Sequence, residues 1–172
     1  MTDQHTLVET ERAMQSHVAA LALDFEAAHA VSSIYRAANA VRMHVTNEVL
    51  RPADITWTGF VVMWVVWIWD GLETRRAAES AAISKATLTG VVKTLEARGW
   101  IEKRGREDDR RLVELYLTPS GKALMEDLYP KFNAIEARVV RGISPRRQKE
   151  MTKSLRAIVT AIESPDESST DD

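Results

Sequence analysis

The sequence predicts a mostly α-helical fold with one small β-hairpin. Three observations predict it. Apolar residues recur at spacings of three and four through most of the 172 residues. Helix starts of the Ser/Thr type stand at Thr56, Ser84, Thr118 and Ser144, the last two each followed by proline. Alternation with a period of two is confined to a short stretch near Leu112–Leu117, preceded by an arginine-rich loop.

The elements follow in order. Leu7–Leu23 holds a short helix within an N-terminal extension, 1–24. Phe25–Leu50 reads as one long helix, with Phe25, Ala28, Ile34 or Tyr35, Ala38, Val41, Val45 and Val49 at near-helical spacing. Arg51-Pro52 ends it, because proline disfavours helix in the residue before it. Thr56 caps Trp57–Trp69, a run so apolar that it is buried on most sides. Its β-branched residues would also suit a buried strand; its length and cap favour helix. Asp70-Gly71 ends it. Thr74–Ala82 is a short Ala-rich helix with Thr74 as N-cap. Ser84 caps the next, in which Leu88, Val91, Val92 and Leu95 share one face while Lys85, Thr87, Thr89 and Lys93 share the other. Gly99 stops it. Trp100–Lys103 and Leu112–Leu117 form a hairpin around the charged loop Arg104–Arg111. Thr118-Pro119 starts a helix to about Arg141, with an apolar stripe of Leu124, Leu128, Phe132, Ile135 and Val139 and with Pro130 inside it to kink it. Gly142 breaks the chain. Ser144-Pro145 starts the last helix, lined by Met151, Leu155, Ile158 and Ile162. The end, 164–172, is acidic, Ser-rich and expected to be disordered.

Two short helices joined by a tight turn, the second polar on its outer face, describe a helix-turn-helix. Such a second helix suits a DNA major groove, and an arginine-tipped hairpin suits the adjacent minor groove. An ordinary amphipathic helix with a charged hairpin is equally consistent with the periodicity. Charge distribution favours the first reading. The net charge is −2, yet Leu72–Arg111 holds ten Lys and Arg against seven Asp and Glu, leaving thirteen against eighteen elsewhere.

Other classes are excluded or disfavoured. No cysteine is present, which rules out disulfides, cysteine-based zinc sites and thiol redox switching. The four histidines, His5, His17, His29 and His44, lack a tight ligand spacing, so neither a metal nor another cofactor is expected. The start has no signal-peptide pattern, and the longest apolar run, Phe60–Trp69, is too short to span a bilayer; a soluble cytoplasmic protein is expected. No Gly-rich phosphate loop, G-x-S-x-G or H-E-x-x-H occurs, so no enzyme is expected.

The run SKATLTGVVKTLEARGWIEKR, then DDRR, then LYLTPSGKAL resembles the winged-helix core of the MarR family of bacterial transcription regulators. The wing carries the most specific part: Asp109 and Arg111 as D-x-R, then Leu117, Thr118 and Gly121 as L-T-x-x-G. The resemblance covers roughly Ala30–Ile162 and is strongest between Leu72 and Leu124. It implies a winged helix-turn-helix plus a helical dimerisation region: residues 25–55 and 119–163 for dimerisation, 56–118 for DNA binding. A homodimer would read a palindromic site with half-sites about one helical turn apart. Two departures stand out. Ala82 occupies a turn position where glycine is common, and Gly90 stands where the family often has arginine.

Site expectations follow from the resemblance and from groove chemistry. Ser84, Lys85, Ala86, Thr87 and Thr89 lie near the start of the reading helix. Lys85 can meet guanine O6/N7 or a phosphate, Thr87 either base type, and Ala86 a thymine methyl. Lys93 lies further along; Lys85 and Lys93 could equally be a solvated face. Arg111 sits where relatives insert an arginine in the minor groove, with Asp109 bracing it. Arg104, Arg106 and Arg110 are phosphate candidates, as are Arg75 and Arg76, for which plain surface is the competing reading. The acidic residues Glu107, Asp108 and Asp109 could instead merely neutralise the loop. Many relatives release DNA when a small phenolic or carboxylate compound binds between dimer helices and reading head. Here that pocket would be lined by Tyr35, Arg42, His44, Trp64, Trp67 and Phe132, an aromatic wall with a cation suited to an aromatic acid; core packing of the tryptophans is the competing reading. The functional expectation is therefore a DNA-binding repressor responsive to such a ligand. The alternative is a winged helix used to dock an acidic protein partner.

Overall fold

The computed structural model describes residues 6–18, 21, 23–105 and 112–164. Helix α1 spans Leu7–His17 and opens on a capping box, in which Thr6 Oγ1 accepts from Glu9 N while Thr6 N donates to Glu9 Oε2 at 2.7 Å. Helix α2 spans Phe25–Val45 and is capped by Asp24. The expected single helix to Leu50 is not uniform. Its last turn, Thr46–Leu50, is π-helical, with Arg51 N donating to Thr46 O at 2.8 Å. The wider turn shifts the register by one residue. Val45, Val49 and Leu50 are then all buried, whereas Val31, Tyr35 and Met43 earlier in α2 are exposed.

Helix α3, Trp57–Trp69, is the centre of the core, and its helical form settles the strand-or-helix ambiguity. Thr56 Oγ1 accepts from Gly59 N at 3.0 Å to start it, and Asp70 in the left-handed conformation stops it. Phe60, Val62, Met63, Val65 and Val66 are buried; Trp64, Ile68 and Trp69 are exposed. Phe132 stacks on Phe60 with centroids 4.7 Å apart, and Trp67 meets Tyr129 edge-on at 5.7 Å.

Strand β1, Leu72–Glu73, was not expected, because two residues carry no periodicity. It pairs with β3, Val113–Leu117, which also pairs with β2, Ile101–Gly105. The hairpin is therefore part of a three-stranded antiparallel sheet in the order β1-β3-β2. Helix α4, Thr74–Ser80, is capped by Glu73 without a side-chain bond, which corrects the expectation of Thr74 as cap. Glu73 is held extended opposite Glu114 in the sheet, so the helix can begin only after it. Helix α5 spans Lys85–Ala97, with Leu88, Val92 and Leu95 buried.

Helix α6, Pro119–Val139, starts at Thr118 and runs on through Pro130. Gly121 in its first turn lies against the Trp100 carbonyl, where a Cβ would sit 2.0 Å from the oxygen. Trp100 O also accepts from Thr118 N at 3.1 Å, so the family-type L-T-x-x-G segment is what locks α6 to the start of the hairpin. Met125, absent from the expected stripe, is fully buried, while Val139, part of that stripe, is exposed. Helix α7, Pro145–Glu163, has no buried residue. Among the described residues no helix is long and apolar enough to cross a membrane. Residues 165–172 of the expected tail lie outside the described residues.

Candidate nucleic-acid interface

The reading helix is built from its first residue. Ser84 Oγ accepts from Thr87 N at 3.1 Å and lies 2.8 Å from Thr87 Oγ1. The cap thus engages two of the three hydroxyls, those of Ser84 and Thr87, that the sequence proposed for DNA. Burial of Leu88, Val92 and Leu95 turns Lys85, Ala86, Thr87, Thr89, Gly90 and Lys93 outward, all exposed. Thr89 Oγ1 donates to Lys85 O at 2.9 Å. Lys85 and Lys93 form no ion pair among the described residues.

Helix α4 brings two arginines beside α5. Arg75 Nε donates to Glu79 Oε1 at 2.8 Å, and that bond raises the guanidinium above its ordinary pKa, so it stays charged. Arg76 is exposed and forms no ion pair among the described residues. A hollow of about 280 Å³ lies between α4, α5 and β2, lined by Thr74, Arg75, Lys85, Leu88, Thr89, Val92 and Lys103. It gathers three cations from three elements. Lys103 was not among the expected site residues; its Nζ meets Glu96 at 2.6 Å. The signal for it was available in the strand alternation, since Ile101 is buried and Lys103 lies on the same face two residues on.

At the root of the wing, Arg104 is fixed rather than loose. Its guanidinium stands 4.3 Å from the Tyr116 ring centroid, and its Nε donates to Glu102 Oε1 at 3.0 Å. Tyr116 Oη in turn donates to Glu114 at 2.8 Å, which pushes the phenol above its ordinary pKa. Arg106, Asp109, Arg110 and Arg111 lie outside the described residues.

The six residues expected around an effector are divided. Phe132 and Trp67 take part in the aromatic core already described. Trp64 and Tyr35 are exposed, Tyr35 at 71 %. Arg42 donates to Asn39 at 3.1 Å. His44 Nε2 lies 3.1 Å from Glu48 and 2.9 Å from Arg138, linking the π-turn to α6. None of the six lines the hollow of about 280 Å³ beside α4. A cleft of about 550 Å³ opens instead between residues 51–57 and the side of α5 at Gly90 and Thr94.

A helix-turn-helix followed by a sheet-rooted wing, with an exposed polar second helix and clustered cations, defines a winged-helix DNA-binding protein. Residues 55–113 match the MarR family model. The chain is 38 % identical over 136 residues to the uncharacterized HTH-type transcriptional regulator YwaE of Bacillus subtilis, covering 79 % of this chain and 80 % of that protein. It superposes on a mutant MarR from E. coli complexed with operator DNA with a TM-score of 0.68 at 20 % identity, over 74 % of this chain and 91 % of that one. A third likeness is to Bordetella bronchiseptica BpsR, whose DNA binding is regulated by 6-hydroxynicotinic acid: TM-score 0.66, 26 % identity, over 75 % of this chain and 98 % of that one. The chain belongs to the MarR family and is a DNA-binding transcriptional regulator rather than an enzyme.

Proposed function

We propose that the protein is a repressor that binds a palindromic operator as a homodimer and is released by a small aromatic acid. The observation that carries this reading is the pairing of two surfaces. Helix α5 offers an exposed polar face flanked by Lys85, Lys93, Arg75 and Arg76. The terminal helices offer exposed apolar faces, including Met151, Leu155, Ile158 and Ile162 on α7. In this reading 25–55 and 119–163 join the subunits, and 56–118 reads DNA. Ser84, Lys85, Ala86, Thr87, Thr89 and Lys93 face the major groove. Arg75, Arg76, Arg104, Arg106 and Arg110 meet phosphates, and Arg111, braced by Asp109, enters the minor groove.

The effector would sit against Trp64, with Tyr35, Arg42 and His44 contributed from α2 and with Trp67 and Phe132 as the floor. The response of BpsR to 6-hydroxynicotinic acid supports an aromatic carboxylate as the ligand class. The test is a titration of the protein's own upstream intergenic DNA at several salt concentrations. The expected result is a specific complex, a steep negative dependence of log affinity on log salt, loss of binding in Arg111→Ala, and release by aromatic acids. A protein that shifts no specific duplex at any salt would instead be a protein-docking module.

A further inference from the structure

Three glycines stand inside α-helices among the described residues, and two of them have a packing reason. A Cβ on Gly59 would come within 3.1 Å of Thr56 Oγ1, and one on Gly121 within 2.0 Å of Trp100 O. A Cβ on Gly90 would meet nothing within 4 Å. Its backbone is ordinary right-handed helix, so no positive φ calls for glycine either. Alanine at this place would make α5 more stable, because glycine loses more backbone freedom on entering a helix. Nothing among the described residues accounts for a glycine here.

The surroundings of Gly90 point outward. It is exposed and lies on α5 one turn beyond Ala86 and Thr87 and one turn before Lys93. Its carbonyl is occupied by the helix and by Thr94 Oγ1 at 3.1 Å, so the position offers no free hydrogen-bonding group that a side chain would spoil. It also lines the cleft of about 550 Å³ that separates the reading helix from Arg51 and Trp57. What glycine gives here is a bare Cα, and its physical use is close approach of the helix backbone to another molecule.

We propose that Gly90 is the point at which the backbone of α5 comes against the duplex, and that it sets how deeply the helix seats in the major groove. The inference rests on the DNA-reading role proposed above. A methyl group at position 90 would hold the helix away from the base edges, lengthening the contacts of Thr87 and Thr89 together. Fold stability and DNA affinity should therefore move in opposite directions on one substitution, which no purely structural role produces.

The test uses the full chain and duplexes that the parent protein enriches from a randomised pool. Melting temperature and affinity at several salt concentrations are measured for the parent, Gly90→Ala and Lys93→Ala. The expected result is that Gly90→Ala melts higher, binds the enriched duplex at least 10-fold more weakly, and keeps the parent's salt slope, since no charge is lost. Lys93→Ala lowers the slope and so shows that the assay resolves the two kinds of contact. A Gly90→Ala protein that melts higher and binds as tightly as the parent, or tighter, overturns the proposal while leaving the DNA-reading role intact. A parent chain that enriches no duplex overturns that role and this proposal with it.

Discussion

Ala82 closes the turn of the helix-turn-helix at φ 52°, in the left-handed region where a Cβ crowds the following carbonyl. The strain is about 1–2 kcal/mol, and the side chain is exposed, so its removal opens no cavity. Ala82→Gly relieves the strain but gives the unfolded chain about 0.4–1 kcal/mol of extra freedom. The expected net is a gain of up to about 1.6 kcal/mol, read as a higher denaturant midpoint; a midpoint lowered by the equivalent of about 0.4–1 kcal/mol would mean that the turn carries no strain. Gly121 makes the opposite case. Its absent Cβ would stand 2.0 Å from a backbone carbonyl, which cannot swing aside as a side-chain end can. Gly121→Ala should destabilise by about 1–3 kcal/mol or more, seen as a lower midpoint, and a neutral result would show that α6 shifts freely against the wing. Both positions were visible as letters in the sequence. Ala82 stood out as a departure from a glycine, and Gly121 as part of L-T-x-x-G. The reason for each was not legible there, because a φ angle and a carbonyl 21 residues away are facts of the folded chain.

Among the elements, helix starts were the most legible, since a cap is a local agreement between one hydroxyl and the amide three residues on. Thr56, Ser84 and Thr118 all accept such bonds. Ser144 stands at the N-cap of α7 without one, and Thr74 yielded its place to Glu73 because sheet pairing, a distant interaction, fixed the preceding residue. The π-turn at Thr46–Leu50 was likewise beyond periodicity, because one extra residue in a turn leaves the apolar spacing nearly unaltered. That turn is tied to α6 through Arg138, which donates to Glu48 and meets His44 at 2.9 Å. The hydrogen bond from Arg138 holds the Glu48 carboxyl below the ordinary carboxylate value of 4.5, with the charges of Arg138 and His44 acting the same way and desolvation opposing. A depressed folded value stabilises the protein above the unfolded pKa and ceases to do so as pH falls through the folded one. Stability of the parent should therefore decline more steeply below about pH 4.5 than that of Glu48→Gln. Denaturation midpoints across pH 3–6, on the order of that range, check this; parallel curves would show that the pair contributes nothing.

For the whole molecule the decisive quantity is surface. The terminal helices expose apolar surface that is arranged in order. Met151, Leu155, Ile158 and Ile162 recur at helical spacing along α7, between 38 % and 73 % exposed, and Val31 and Tyr35 stand open on α2. A helix with one apolar face and no buried residue has no reason to hold that face in water as a lone subunit. In the homodimer proposed above a second copy would supply the cover, and a two-fold axis would let the same stripes meet each other. This arrangement separates assembly from folding, because α7 contributes nothing to the core around α3. A Leu155→Asp, Ile158→Asp double substitution should accordingly leave the helical content and the melting of the core in place while the mass in solution falls to 19.3 kDa. Affinity for the full palindrome should then drop by about 100-fold or more, because the second reading head no longer arrives at high local concentration, whereas binding to a half-site should barely change. Light scattering coupled to gel filtration reads the first effect, and a titration of full and half sites reads the second. A variant that stays dimeric would move the interface off α7. A monomer that still grips the palindrome at parental affinity would mean that one reading head suffices.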